Sequence, residues 1–202
     1  DITGSADADW NQSAVATATT DTTLAATGLG EGDYALYVVD RAGNLSAGSL
    51  TTATIDNTAP VILSLTSPTS PNKATTLSYT LTFDGAVSGL TAADFSNAGT
   101  ATGCVFSPAT SSGTTFTITV TSCSEGTIVV EIRSGAVVDA AGNSAPSAAN
   151  SASSVTVDRS APSAPILANA VLLSSGNATV QGDELAVVYL VNSSIVVTNL
   201  AS

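Results

Sequence analysis

The chain has 202 residues, with sixteen acidic side chains against four basic ones, no histidine and a net charge of −12. That charge repels phosphate backbones and anionic lipid, so nucleic acid is excluded as a partner. The lack of imidazole removes Ser-His and Cys-His nucleophile activation. No apolar run approaches the ~20 residues of a membrane helix, so no membrane insertion is expected. With neither an initiator Met nor a signal peptide at its start, the chain reads as a mature segment or an excised repeat. Hydrophobic residues make up 44% of it, mostly Ala and Val, and the aromatics are only Trp10, four Tyr and four Phe, which predicts thin cores. Abundant Thr and Ser among β-branched residues suit half-buried strands, and no helical stripe is present.

In chain order, strands are expected at Ala14 to Thr19, Thr23 to Ala26, Tyr34 to Val39 and Ser49 to Ile55. Asp7, Asp9 and Asp21 read as a solvated acidic loop, with Trp10 in a core. Leu29-Gly30-Glu31-Gly32-Asp33-Tyr34 has the spacing of a tyrosine corner, in which the phenol bonds a backbone group upstream, making Tyr34 architectural. Asp40-Arg41-Ala42-Gly43-Asn44 is a turn, and Asp56-Asn57-Thr58-Ala59-Pro60 a linker stiffened by proline.

Beyond the linker, Val61 to Leu65, Thr76 to Phe83, Thr115 to Thr121, Thr127 to Ile132 and Ser154 to Val157 read as sandwich strands. The second and third alternate with period two, and Asp84-Gly85, Ser112-Gly113 and Ser134-Gly135 are turn signals between strands. Cys104 and Cys123 flank one hairpin. An even, close pair in a chain of secreted character favours a disulfide, the other reading being two buried thiols. The turn and linker then return as Asp139-Ala140-Ala141-Gly142-Asn143 and Asp158-Arg159-Ser160-Ala161-Pro162. Glu125-Gly126-Thr127-Ile128 stands where the first copy has its tyrosine corner, without a Tyr, and Arg133 to Ala136 is an extra segment. The tail offers strands at Ile166 to Leu173, Leu185 to Val191 and Ile195 to Thr198.

From Pro60 to Pro162 is 102 residues, and residues 1 to 60 with 163 to 202 total 100. A period near 100 is a normal β-sandwich size. The expected organisation is therefore the back half of a sandwich at 1–57, a complete one at 58–158 and the front half of the next at 159–202, as if residue 202 ran on into residue 1 of another copy.

These ordered motifs resemble the bacterial immunoglobulin-like repeats of very long surface proteins and adhesins, whose copies end in Asp-x-Ala-Gly-Asn and are joined through Asp-x-(Thr/Ser)-Ala-Pro. The resemblance covers the whole chain. It implies an all-β fold of tandem Ig-like antiparallel sandwiches, one complete and one split between the C-terminal and N-terminal segments. It also implies a role as an extracellular stalk, filament or adhesin on the cell surface, its neighbours being copies of the same repeat, head to tail. Calcium is frequent in such stalks, between or within domains.

Two readings of the turns stand. In one, Asp and Asn side chains bond only their own backbone amides. In the other, Asp40, Asn44 and Asp56 form one set of Ca²⁺ ligands and Asp139, Asn143 and Asp158 a second, completed by carbonyls, waters or the next domain to the ~6–8 oxygens the ion takes. No catalytic residue is assigned, because the carboxylates sit in turns and not across a cleft. Two rival functions are a separate subunit that assembles by strand complementation between neighbours, and a module that binds a glycan, cell-surface or host-protein ligand.

Overall fold

The computed structural model describes residues 14–17, 19–168 and 176–198. It divides into two compact units, 1–158 and 159–202. Trp10 lies outside the described residues.

The first unit opens with a hairpin of β1 (Gly32–Tyr34) and β2 (Ala53–Ile55), whose strands pair antiparallel. The sandwich follows as β3 (Ile62–Thr66), β4 (Thr76–Ser88), a single 3-10 turn at Ala92–Asp94, β5 (Phe95–Asn97), β6 (Val105–Pro108), β7 (Ser112–Thr121), β8 (Gly126–Ile128), β9 (Val130–Ile132), β10 (Val137–Val138), β11 (Ser144–Ala145), β12 (Asn150–Ser151) and β13 (Val155–Val157). One sheet has the order β11-β10-β4-β7-β6 with β3 also on β4, and the facing strands pair as β12-β9-β5 and β13-β8. These strands pair antiparallel throughout, and an isolated parallel bridge links Asn72 to Val157. The fold is all-β, as the sequence pattern predicts.

Alternation builds the core. Leu77, Tyr79, Leu81 and Phe83 of β4 are buried while the Thr and Ser between them are exposed, and Phe116, Ile118 and Val120 of β7 repeat the pattern. The register sets Tyr79 opposite Ile118 and Leu81 opposite Phe116, and Phe83 meets Phe116 edge to face at 6.1 Å. The other layer contributes Ile128, Val130, Ile132, Val155 and Val157, each at most 1% exposed, to the same buried cluster. Each such side chain stabilises the fold by roughly 1.5–3 kcal/mol through burial. Beneath the 3-10 turn the buried Asp94 accepts from the Thr91 N–H and hydroxyl with one oxygen and meets the Arg133 guanidinium at 2.5 Å with the other. The extra segment that begins at Arg133 thus neutralises an interior carboxylate.

Cys104 and Cys123 are joined in a disulfide that closes the β6–β7 hairpin. Two expected turns are not turns. β4 runs through Asp84-Gly85 with a register shift between Thr82 and Val87, because Asp84 exchanges bonds with Val61, its Oδ1 accepting the Val61 N–H at 2.7 Å. Ser112-Gly113 opens β7 opposite Val87 and Ser88.

In the second unit the only strands among the described residues are β14 (Ile166–Leu167) and β15 (Val180–Gln181), which pair antiparallel. The expected strands at 185–191 and 195–198, and in the first unit 23–26 and the described residues of 14–19, are not formed, and those at 34–39 and 49–55 are strand only at Tyr34 and at Ala53–Ile55. A strand exists only through its ladder, and these runs have no neighbour to complete one.

Candidate functional site

Two turns of the same build lie in the first unit, one between the bridged Val39 and Leu45 and one between β10 and β11. In the first, Asp40 Oδ1 accepts the backbone N–H of Ala42 and Asn44, and its Oδ2 accepts the Asn44 amide at 2.7 Å. In the second, Asp139 Oδ1 accepts from Ala141, Gly142 and Asn143, and its Oδ2 accepts the Asn143 amide at 2.9 Å. Gly43 at φ 91° and Gly142 at φ 95° supply the left-handed step that a side chain would strain. In each turn the Asn side chain is the main cause that holds the Asp carboxyl below its ordinary range, with the backbone amides adding to it.

Only the second turn reaches further. Its Asn143 amide also donates to the carbonyls of Asp56 at 3.1 Å and Thr58 at 3.3 Å, on the linker that leads into the sandwich. From the other side Glu31, next to β1, accepts the Asn57 N–H at 3.0 Å and the Thr58 hydroxyl. Asp56 turns the chain locally through its own Oδ1, which accepts the Thr58 N–H. Residues 56–58 are therefore bonded from both neighbours, and the joint is a clamped one. A cavity of about 340 Å³ beside it is lined by Asp56, Thr58, Pro60, Asp84, Ala86 and Asp139.

The expected ligand sets are distributed otherwise. Asp40 and Asn44 meet, and so do Asp139 and Asn143, but Asp56 is brought to Asn143 rather than to Asn44. Asp158 gives its N–H to the Asn72 carbonyl, ahead of β4, whereas Asp139 follows Val138, which pairs with Ser88 at the far end of that strand. β7 joins the same two ends of β4 in the steps from Thr121 to Ser112, which at about 3.3 Å per residue puts roughly 30 Å between them.

At the joint both Asp139 oxygens accept hydrogen bonds within the turn, and the Asn143 nitrogen, a donor, stands among the oxygens of Asp56, Thr58 and Asp139, so a Ca²⁺ ion bound by those oxygens would have to displace the Asn143 amide. Among the described residues no group of three or more His, Cys, Asp or Glu is placed to hold a metal ion. Tyr34 donates its hydroxyl to the Gly30 carbonyl at 2.9 Å, the bond of a tyrosine corner. Sequence reasoning missed Glu31, Thr58 and Asp84; the Glu-Gly at the start of both β1 and β8 was the one repeated signal that pointed at Glu31.

Neither a curated protein nor a solved structure matches the chain. The family model of the bacterial Ig-like domain matches residues 56–157, which starts on the clamped Asp56 and ends with the last strand of the sandwich. On that match, half of its length, the chain belongs to the bacterial Ig-like domain family.

Proposed function

We propose that this chain is a structural, non-catalytic unit of a long bacterial surface protein, a stalk or filament that spans distance outside the cell and does no chemistry. The observation that carries this reading is the placement of entry and exit. The chain enters the sandwich at the Asn143 end and leaves it at the Asn72 end, so copies joined through equivalent linkers extend one another. The clamp on residues 56–58 and the Ala-Pro that follows favour a joint that resists bending. A disulfide across the β6–β7 hairpin fits an oxidising compartment, and the family is of a kind often placed on the cell surface.

Protease shaving of intact cells of the source bacterium, followed by peptide mass spectrometry, tests it. Peptides from 58–158 released without lysis, with Cys104 bonded to Cys123, are expected. Release only after lysis, with free thiols, would overturn the reading.

A further inference from the structure

The β1–β2 hairpin and the β8–β13 pair are the same element in the same register. Gly32 stands opposite Ile55, Asp33 opposite Thr54 and Tyr34 opposite Ala53; Gly126 stands opposite Val157, Thr127 opposite Thr156 and Ile128 opposite Val155. Both leading glycines take positive φ, 141° and 127°, both follow a Glu, and both partner strands run straight into the Asp of a linker. The chain between the two strands of each pair carries the Asp-Asn turn described above.

Their surroundings differ completely. In the sandwich, Ile128, Val130 and Ile132 are 0% exposed, because the face they share lies on the β4 and β7 row of Leu77, Tyr79, Leu81 and Phe116. Two and four residues beyond Tyr34, as Val130 and Ile132 lie beyond Ile128, Leu36 is 54% exposed and Val38 60%. A hairpin built to be covered is thus uncovered, and the sandwich itself states what covers it: the strands that follow a linker proline. The chain holds one further segment of that kind, after Pro162. Its run Leu185-Ala186-Val187-Val188-Tyr189-Leu190-Val191 is apolar throughout, where β4 buries Leu77, Tyr79, Leu81 and Phe83, yet Leu185, Val187, Tyr189 and Val191 are 105%, 74%, 60% and 42% exposed. An apolar row of this length left in water is a surface that another chain covers.

We infer that the 32–55 hairpin of one copy and the segment after Pro162 of a second copy fold together into one sandwich, a head-to-tail junction in which each half supplies the layer that the other lacks. The inference rests on the reading of the chain as one unit of an array, and it names the partner: a second copy of this same chain. Because head and tail are different surfaces, the contact is heterologous, and repeated from copy to copy it builds a ring or an open filament.

Complementation between full-length variants tests it. A head variant, L36D with V38D, and a tail variant, V187D with Y189D, lie outside the 58–158 sandwich, so both should keep its melting transition. In sedimentation equilibrium the wild-type mass should rise with concentration above the 19.8 kDa monomer. Each variant alone should stay a monomer. An equimolar mixture should stop at the dimer, since only the intact tail of the head variant can meet the intact head of the tail variant. A wild type that stays monomeric at every concentration, or association that survives in either variant alone, would overturn the inference. Neither result touches the shaving experiment, so loss of the junction and loss of the surface role are distinguishable.

Discussion

Asn143 donates its side-chain amide to the backbone carbonyl of Asp56 at 3.1 Å, across 87 residues of sequence. One side chain therefore both closes the last turn of the sandwich and holds the strand of chain that enters it.

Removal of that amide leaves the Asp56 and Thr58 carbonyls and an Asp139 oxygen without their donor. Those carbonyls are exposed and can turn to water, so Asn143→Ala should lower the stability of the 58–158 sandwich by about 0.5–1.5 kcal/mol in urea titration. Asn44→Ala, which removes the equivalent amide from a turn with no bond to the linker, should leave that transition in place. Equal effects would mean that the bond to Asp56 contributes nothing.

Acid should act on the same turn. The Asp139 carboxyl is held below its ordinary range by Asn143, so the unfolded chain binds its proton at a higher pH than the folded one. The stabilisation is complete above the unfolded value, near pH 4, and is lost as pH falls through the lower folded value. Thermal melts between about pH 5 and pH 2 should show a shallower decline in Asp139→Asn than in the wild type, and identical slopes would refute the linkage.

Calcium should do little at the joint, because the donor that would have to leave is Asn143 itself. Melts in excess chelator and in millimolar calcium should coincide, and a calcium-dependent rise that is abolished by Asp56→Ala would restore the metal reading.

The disulfide closes a loop of 19 residues by sequence separation. Loop-closure entropy puts its contribution at about 3 kcal/mol. The Cys104→Ala, Cys123→Ala double variant should lose about that much in guanidinium titration while keeping its far-UV spectrum.

The Tyr79 hydroxyl is buried with no hydrogen-bond partner among the described residues, and burial pushes its pKa up to about 12. Tyr79→Phe should therefore be neutral or more stable by about 1 kcal/mol, where most core substitutions cost stability. It should also flatten the fall in stability between pH 10 and about 12, where the unfolded phenol ionises first.

What the sequence made legible follows from the distance over which each signal acts. The β4 and β7 strands announce themselves through alternation, the turns through Asp-x-Ala-Gly-Asn, and the disulfide through a close cysteine pair. The joint did not announce itself, because Asn143 and Asp56 become neighbours only when the sheet is built. Nor could spacing tell that Asp56 and Asp158, alike in their motifs, belong to opposite ends of one sandwich. Asp84-Gly85 misled for a local reason: the dipeptide has turn chemistry, but Asp84 uses it to bind Val61 across the sheet while the strand continues.

The opposed entry and exit have a mechanical consequence. β3 follows directly on the Pro60 linker and runs antiparallel to β4, and β13 runs directly into Asp158 at the other end. Tension through the two linkers pulls these outer strands along their own axes in opposite directions. Their inter-strand bonds lie across the strands, so the load falls on all the rungs together and does not open them one at a time. A module pulled in that geometry yields late and all at once, and a string of such modules would lengthen in discrete steps under strain.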